Sequence, residues 1–170
     1  MSRLRRIEKL DRIFFVTTNI ANGQSPLSAN ERDLVLAILG EQRKQGSFWL
    51  FGYVIMPDHL HLLLSPRGRD LPMLMRNIKS FSGFRLQRAR QCSGPLWQAR
   101  YFDNIIRHVK DFWEKLEYIH RNPVEAALAS EVEGWRWSSY VAWQRGSNSD
   151  VPVDPIDLPA DREALLWPGA

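Results

Sequence analysis

A single cysteine, Cys92, is all the thiol that this 170-residue chain carries. One cysteine excludes an internal disulfide and a cysteine-based zinc cluster, and it agrees with a reducing compartment. No apolar run approaches the roughly eighteen residues that a membrane-spanning helix needs. The opening MSRLRRIEKLDR is basic, but no long apolar stretch follows it, so the expectation is a cytoplasmic protein without a membrane anchor. No repeat period is visible either. Acidic residues are scarce in one region. From Arg67 to Arg90, Asp70 stands alone against Arg67, Arg69, Arg76, Lys79, Arg85, Arg88 and Arg90, a local charge of +6 in a chain whose formal net charge is +4. A solvated helix face would explain such a block, yet so one-sided a field also suits a polyanion such as nucleic acid.

What is present suits one compact domain, with 44% hydrophobic residues for a single core. RIFFVTTN, Arg12 to Asn19, is aromatic and β-branched and reads as a first strand. Ser28 and Glu31 have capping-box spacing, and Leu34, Ile38 and Leu39 recur with helical period, so a helix is expected from Ala29 to Gln45. SFWLFGYVIM is a second strand, stopped by Met56-Pro57-Asp58, and His59 to Ser65 pairs back on it as a hairpin. Asp70 and Pro72 open a basic helix that ends near Arg90. LWQARYFDNIIR then reads as a fourth extended segment and KDFWEKLEYIHRN as a further helix. This order implies an α+β fold, a ferredoxin-like antiparallel sheet with helices packed on one face. The expected division is a domain of residues 1–145 and a tail of residues 146–170, whose GSNSDVPVDPIDLPADRE composition suggests loose packing.

Two of the four histidines, His59 and His61, stand one residue apart on the third strand. Alternate strand residues share a face, so their imidazoles would lie side by side while Leu60 and Leu62 turn the other way. Both could be ordinary hydrogen-bonded residues. They could also be two ligands of a metal site that needs further donors. The helix KLEYIHRNPVEAA offers Tyr118 and Asn122, four apart and so on one helical face. A phenol oxygen can attack phosphorus and an amide oxygen is a hard ligand, which together suggest metal-assisted phosphoryl transfer. Plainer roles compete: Asn122-Pro123-Val124-Glu125 has the form of a helix start, and Tyr118 could be a packing aromatic like Tyr53, Tyr101 and Tyr140.

The four segments YVIMPDHLHLLL, WQARYFDNIIR, YIHRNPVEAAL and WRWSSY occur in the order found in the REP-associated tyrosine transposases, which this chain resembles from about Arg12 to Trp143. These are single-strand endonucleases with a His-hydrophobic-His motif. The resemblance implies a ferredoxin-like fold, a bound divalent metal, and a tyrosine that cuts single-stranded DNA beside small palindromic hairpins. Matched by position, His59 and His61 correspond to the metal-binding pair, Tyr118 to the nucleophile, and Asn122 to the polar residue that completes the metal site. Related mobile-element enzymes with glutamine at that last position work as dimers. Asn122 aligns this chain with the domesticated branch, for which a monomer is expected.

The expected reaction is cleavage and rejoining of single-stranded or hairpin DNA through a 5′-phosphotyrosine. Mg²⁺ or Mn²⁺ would sit on His59, His61 and Asn122, the two nitrogen ligands suiting manganese better. Arg67, Arg69, Arg76, Lys79, Arg85 and Arg88 are the expected phosphate-binding residues. Location in the bacterial cytoplasm, on the nucleoid, follows from that role. Two rival classes remain at this level: a hairpin-binding module without chemistry, and a metal phosphodiesterase that uses water.

Overall fold

The structure, a computed structural model, describes residues 12–166. The first eleven residues of the basic N-terminal stretch and the last four of the chain lie outside the described residues. The elements run β1 (Phe14–Asn19), α1 (Ala29–Lys44), β2 (Phe48–Ile55), β3 (His59–Pro66), α2 (Leu71–Arg90), β4 (Phe102–Ile105), α3 (Val109–Glu125) and α4 (Tyr140–Arg145). The four strands form one sheet in the order β2-β3-β1-β4, every neighbouring pair antiparallel. That order and the β-α-β-β-α-β chain course make the fold a ferredoxin-like α+β sandwich, as the sequence implies.

Local chemistry sets the element boundaries. The Ser28 hydroxyl accepts from the Glu31 amide and the Glu31 carboxylate accepts from the Ser28 amide, a complete capping box at the start of α1. Asp70 accepts from the Met73 amide to cap α2, and that helix stops at Gln91, which adopts a left-handed conformation with φ 53°. Four residues form β4, fewer than the extended LWQARYFDNIIR segment suggests. Leu96 and Trp97 at its start are instead buried beside α2, with the Trp97 indole N–H donating to Ser82 Oγ at 2.8 Å.

β3 is an interior strand, so both of its faces are covered. Leu60, Leu62 and Leu64 are fully buried on the face roofed by α1 and α2, which pack on each other. The opposite face carries His59, His61 and Leu63 and is roofed by α3. The two crossover helices thus share one face, and α3, which follows the ferredoxin-like unit, takes the other. α3 sits close because β2 has glycine at residue 52. A Cβ there would come within 2.9 Å of Leu116 Cδ1 and 3.4 Å of Ile119 Cδ1. Asn122-Pro123 does not open a new helix. α3 continues through Pro123 to Glu125, so the proline removes one backbone donor inside the last turn without opening a helix of its own.

The outer edge of β2 is occupied by later chain. The Ile55 amide donates to the Trp137 carbonyl at 2.9 Å, the Ser139 amide to the Tyr53 carbonyl at 2.8 Å, and the Asp154 amide to the Leu50 carbonyl at 2.7 Å. Covering this edge removes a row of open backbone groups that would otherwise invite another strand. The proline-rich segment is therefore more firmly held than its composition suggests. Asp154 is 6% exposed, takes a two-pronged contact from the Arg43 guanidinium at 2.9 and 3.2 Å, and also accepts from the Leu50 amide at 2.9 Å.

Candidate active site and nucleic-acid surface

The hairpin turn at Met56–Asp58 delivers His59 and His61 to the end of the sheet, on one face, with ring centroids 4.6 Å apart. Each ring has its Nδ1 held. His59 Nδ1 lies 2.6 Å from Asp58 Oδ1, and His61 Nδ1 lies 2.8 Å from Thr17 Oγ1 on the neighbouring strand, where Thr17 and His61 are direct cross-strand partners. With Nδ1–H donating to these oxygens, both Nε2 atoms are left as lone-pair donors. Burial, reinforced by His59 and Lys115 nearby, lowers the His61 pKa to about 3. Its imidazole is therefore neutral, the form that can ligate a metal.

α3 brings two further groups. Asn122 Oδ1 lies 3.3 Å from His59 Nε2. The Tyr118 ring meets the His61 ring edge-on at 5.3 Å and the Phe15 ring at 5.9 Å. Tyr118 remains 41% exposed and its hydroxyl has no hydrogen-bond partner among the described residues. Lys115, one turn earlier, places its ammonium 5.8 Å from the Tyr118 ring centroid and 4.9 Å from that of Phe15. Ring contacts with His61 and Phe15 seat Tyr118, and its oxygen makes no hydrogen bond among the described residues.

A divalent cation fits these residues on two structural grounds. His61 Nε2 is buried and has no hydrogen-bond partner among the described residues, a costly condition for a polar atom unless something binds it. In the neutral ring, moreover, His59 Nε2 and Asn122 Oδ1 face one another as two acceptors. A shared cation would satisfy both atoms at once. Among the described residues no group of three His, Cys, Asp or Glu side chains surrounds a common point, so a third protein donor beside the two imidazoles would be the amide oxygen of Asn122.

His59, His61, Tyr118 and Asn122, the four residues expected from the sequence, lie together in the structure. Thr17, Asp58 and Lys115 join them. Asp58 adjoins His59 in the chain and was visible as an acid beside an imidazole; Thr17 becomes a neighbour only through strand register. The other two histidines stand apart. His120, whose pKa burial lowers to about 4, is 3.0 Å from Ser139 Oγ, and His108 caps α3 beside Asp111.

The basic residues are distributed differently from the four site residues. Arg69, Arg76, Lys79, Arg85 and Arg88 lie on or just before α2, across the sheet from the histidines, and Arg67 follows β3 with its guanidinium over the Trp49 ring at 4.5 Å. Arg69, Arg76 and Arg88 are exposed. Lys79 donates to the Ala99 carbonyl at 2.8 Å and Arg85 lies 3.7 Å from Glu41. Arg90 belongs to the fold: it grips Glu31 at 2.6 and 3.0 Å and ties down Gln24, Ser25 and Pro26. The same helix exposes Phe81 and Phe84, 53% and 60%, so the open aromatic surface on α2 is phenylalanine, while Trp97, Trp135 and Trp137 are buried.

Comparison with known proteins places this chain among the transposases, a class of DNA-cleaving phosphoryl-transfer enzymes. The family model of the IS200-like transposases matches residues 20–122, and the chain belongs to that family. It is 27% identical over 143 residues to a REP-associated tyrosine transposase of Escherichia coli strain K12, covering 82% of this chain and 83% of the relative. A solved structure of a REP-associated tyrosine transposase bound to a REP hairpin matches with a TM-score of 0.68 at 26% identity, covering 95% of this chain and 93% of that one. Among the described residues no helix is long and apolar enough to cross a membrane.

Proposed function

We propose that this protein cuts and rejoins single-stranded DNA beside REP-type hairpins, with Tyr118 as the nucleophile and His59, His61 and Asn122 as the holders of Mg²⁺ or Mn²⁺. The observation that carries the reading is the convergence of an orphaned buried His61 Nε2, the His59–Asn122 pair at 3.3 Å and an unpartnered Tyr118 hydroxyl on one face of the sheet. A bound divalent ion would supply charge neutralisation for the phosphate oxygens. Asp58 and Thr17 hold the two imidazoles in the lone-pair-presenting tautomer, and α3 aims the tyrosine.

Tyr118 Oη attacks the scissile phosphorus and loses its proton. The bond from phosphorus to the 3′-oxygen breaks, and that oxygen leaves as a 3′-hydroxyl. The product is a 5′-phosphotyrosine. Attack by a 3′-hydroxyl on the same phosphorus regenerates the phenol and seals a strand, so joining needs no nucleotide cofactor. The Lys115 ammonium, near the Tyr118 ring, favours both the developing phenolate and the incoming phosphate. Arg67, Arg69, Arg76, Lys79, Arg85 and Arg88 neutralise the phosphates of the hairpin. The working unit is a monomer of the bacterial nucleoid, built from a catalytic domain of residues 1–145 with residues 146–170 as an appended segment.

The experiment uses a hairpin oligonucleotide with a single-stranded extension, labelled on the fragment 3′ of the cut, with Mn²⁺ and denaturing electrophoresis. Wild type, Tyr101→Phe and Tyr140→Phe should all yield a slow-migrating protein–DNA adduct. Tyr118→Phe should bind the DNA but form neither nick nor adduct. A nick without adduct from Tyr118→Phe would assign the attack to water, and an adduct would assign it to another residue.

A further inference from the structure

Beside the catalytic face a second, unassigned feature opens: a cleft of about 360 Å³ walled by Asn19, Asn22, Gln24, Gln98 and Asp58. It shares a wall with the candidate active site. Asn19 is the direct cross-strand partner of His59, which puts its side chain on the histidine face, and Asp58 is the residue whose carboxylate holds the His59 ring. Three separate chain segments are laced together here by the main chain. The Ile20 amide donates to the Asp58 carbonyl at 2.8 Å, the Ala21 amide to the Leu96 carbonyl at 2.7 Å, and the Gln98 amide to the Asn19 carbonyl at 2.9 Å. These bonds tie the backbone that frames the cleft at three points and fix where its walls stand.

Its chemistry is specific. The lining has no basic side chain, so it is unsuited to a phosphate. Gln24 is fixed as a wall, its carbonyl oxygen accepting from Arg90 at 3.2 Å and its amide donating to the Pro95 carbonyl at 3.3 Å. The side chains of Asn19, Asn22 and Gln98 have no partner among the described residues. Each free amide offers a donor and an acceptor together, the pairing that reads the edge of a nucleobase, and a carboxylate accepts from an exocyclic amine. Unpaired bases splayed from a single strand are recognised in this way.

Resting on the function proposed above, we infer that this cleft takes one unpaired base of the DNA next to the scissile phosphate. Asn19, Asn22 and Gln98 then set the nucleotide preference of the enzyme. The cleft does not supply catalysis; it selects which phosphate comes to rest against the four site residues.

The test varies each of the positions flanking the cut through the four bases and an abasic site. Binding is read by fluorescence anisotropy on Tyr118→Phe protein, and adduct yield on protein with Tyr118 intact. One position should discriminate between bases by roughly five- to 150-fold in affinity, the span of a bidentate base contact. The double variant Asn19→Ala, Gln98→Ala should bring that ratio close to one while ratios at other positions persist. Asn22→Ala, on an exposed turn where folding is not at stake, should lower the same ratio by about fivefold, the loss of one hydrogen bond. Ratios unaltered in both variants, or the absence of any discriminating position, would overturn the inference. Failure of the wild type to form an adduct would instead sink the phosphotyrosine chemistry, and the anisotropy ratios would still decide the cleft.

Discussion

Asn122 Oδ1 and His59 Nε2 lie 3.3 Å apart although one is on α3 and the other on β3, sixty-three residues away in the chain. Both atoms are acceptors once His59 Nδ1–H is committed to Asp58. The pair is therefore better matched to a cation than to itself. Removing the amide oxygen should weaken Mn²⁺ binding, and replacing it with a carboxylate should strengthen it, because hard cations favour charged oxygen ligands. Electron paramagnetic resonance of free Mn²⁺ during titration should rank affinities as Asn122→Asp above wild type above Asn122→Ala. An Asn122→Ala variant with undiminished affinity would remove this residue from the ligand set.

The second prediction concerns the partner of His61. Thr17→Val keeps the shape of the side chain but deletes the oxygen 2.8 Å from His61 Nδ1. The ring then loses its orienting contact, and outer-sphere losses of this kind typically cost roughly 10- to 100-fold in metal affinity. Thr17→Ser should restore most of it. The same Mn²⁺ titration checks both variants, and equal affinity for valine and threonine would show that packing alone orients the ring.

Salt dependence separates the working cations from the structural ones. Arg69→Ala and Arg76→Ala should each reduce the slope of log affinity against log salt by about 0.7–0.9 if each contacts one phosphate. Arg90→Ala should leave the slope unaltered and instead lower the melting temperature, since this side chain is engaged with Glu31. A flattened slope in Arg90→Ala with normal stability would reverse the assignment.

The buried end of the C-terminal segment carries a stability prediction. Asp154→Ala strands the Arg43 guanidinium and the Leu50 amide together. We expect a loss of roughly 2–4 kcal/mol, towards the lower end for a broken buried pair because Arg43 keeps 20% of its side chain exposed. Urea denaturation measures it. A change under about 0.5 kcal/mol, the size of an ordinary surface substitution, would mean that the segment is not integral to the fold.

Much of this architecture was legible along the chain. The Ser28–Glu31 and Asp70 caps, the strand alternation at His59 and His61, and the four-residue spacing of Tyr118 and Asn122 are local signals, written within one or two turns or one strand. Local geometry follows from backbone sterics and side-chain hydrogen bonding, so the sequence by itself determined the elements and which residues share a face. Other features depend on contacts between distant segments. Only strand register places Thr17 against His61 and Asn19 against His59. Only the close seating of α3 over Gly52 carries Tyr118 onto the histidine face. Charge counting could not distinguish Arg90, half-buried and paired with Glu31, from Arg76, open to solvent. Composition alone likewise misses that the proline-rich segment is tied to β2. The tertiary structure decided these because a partner far along the chain is chosen by the burial and hydrogen bonding of the whole fold, which no short window contains.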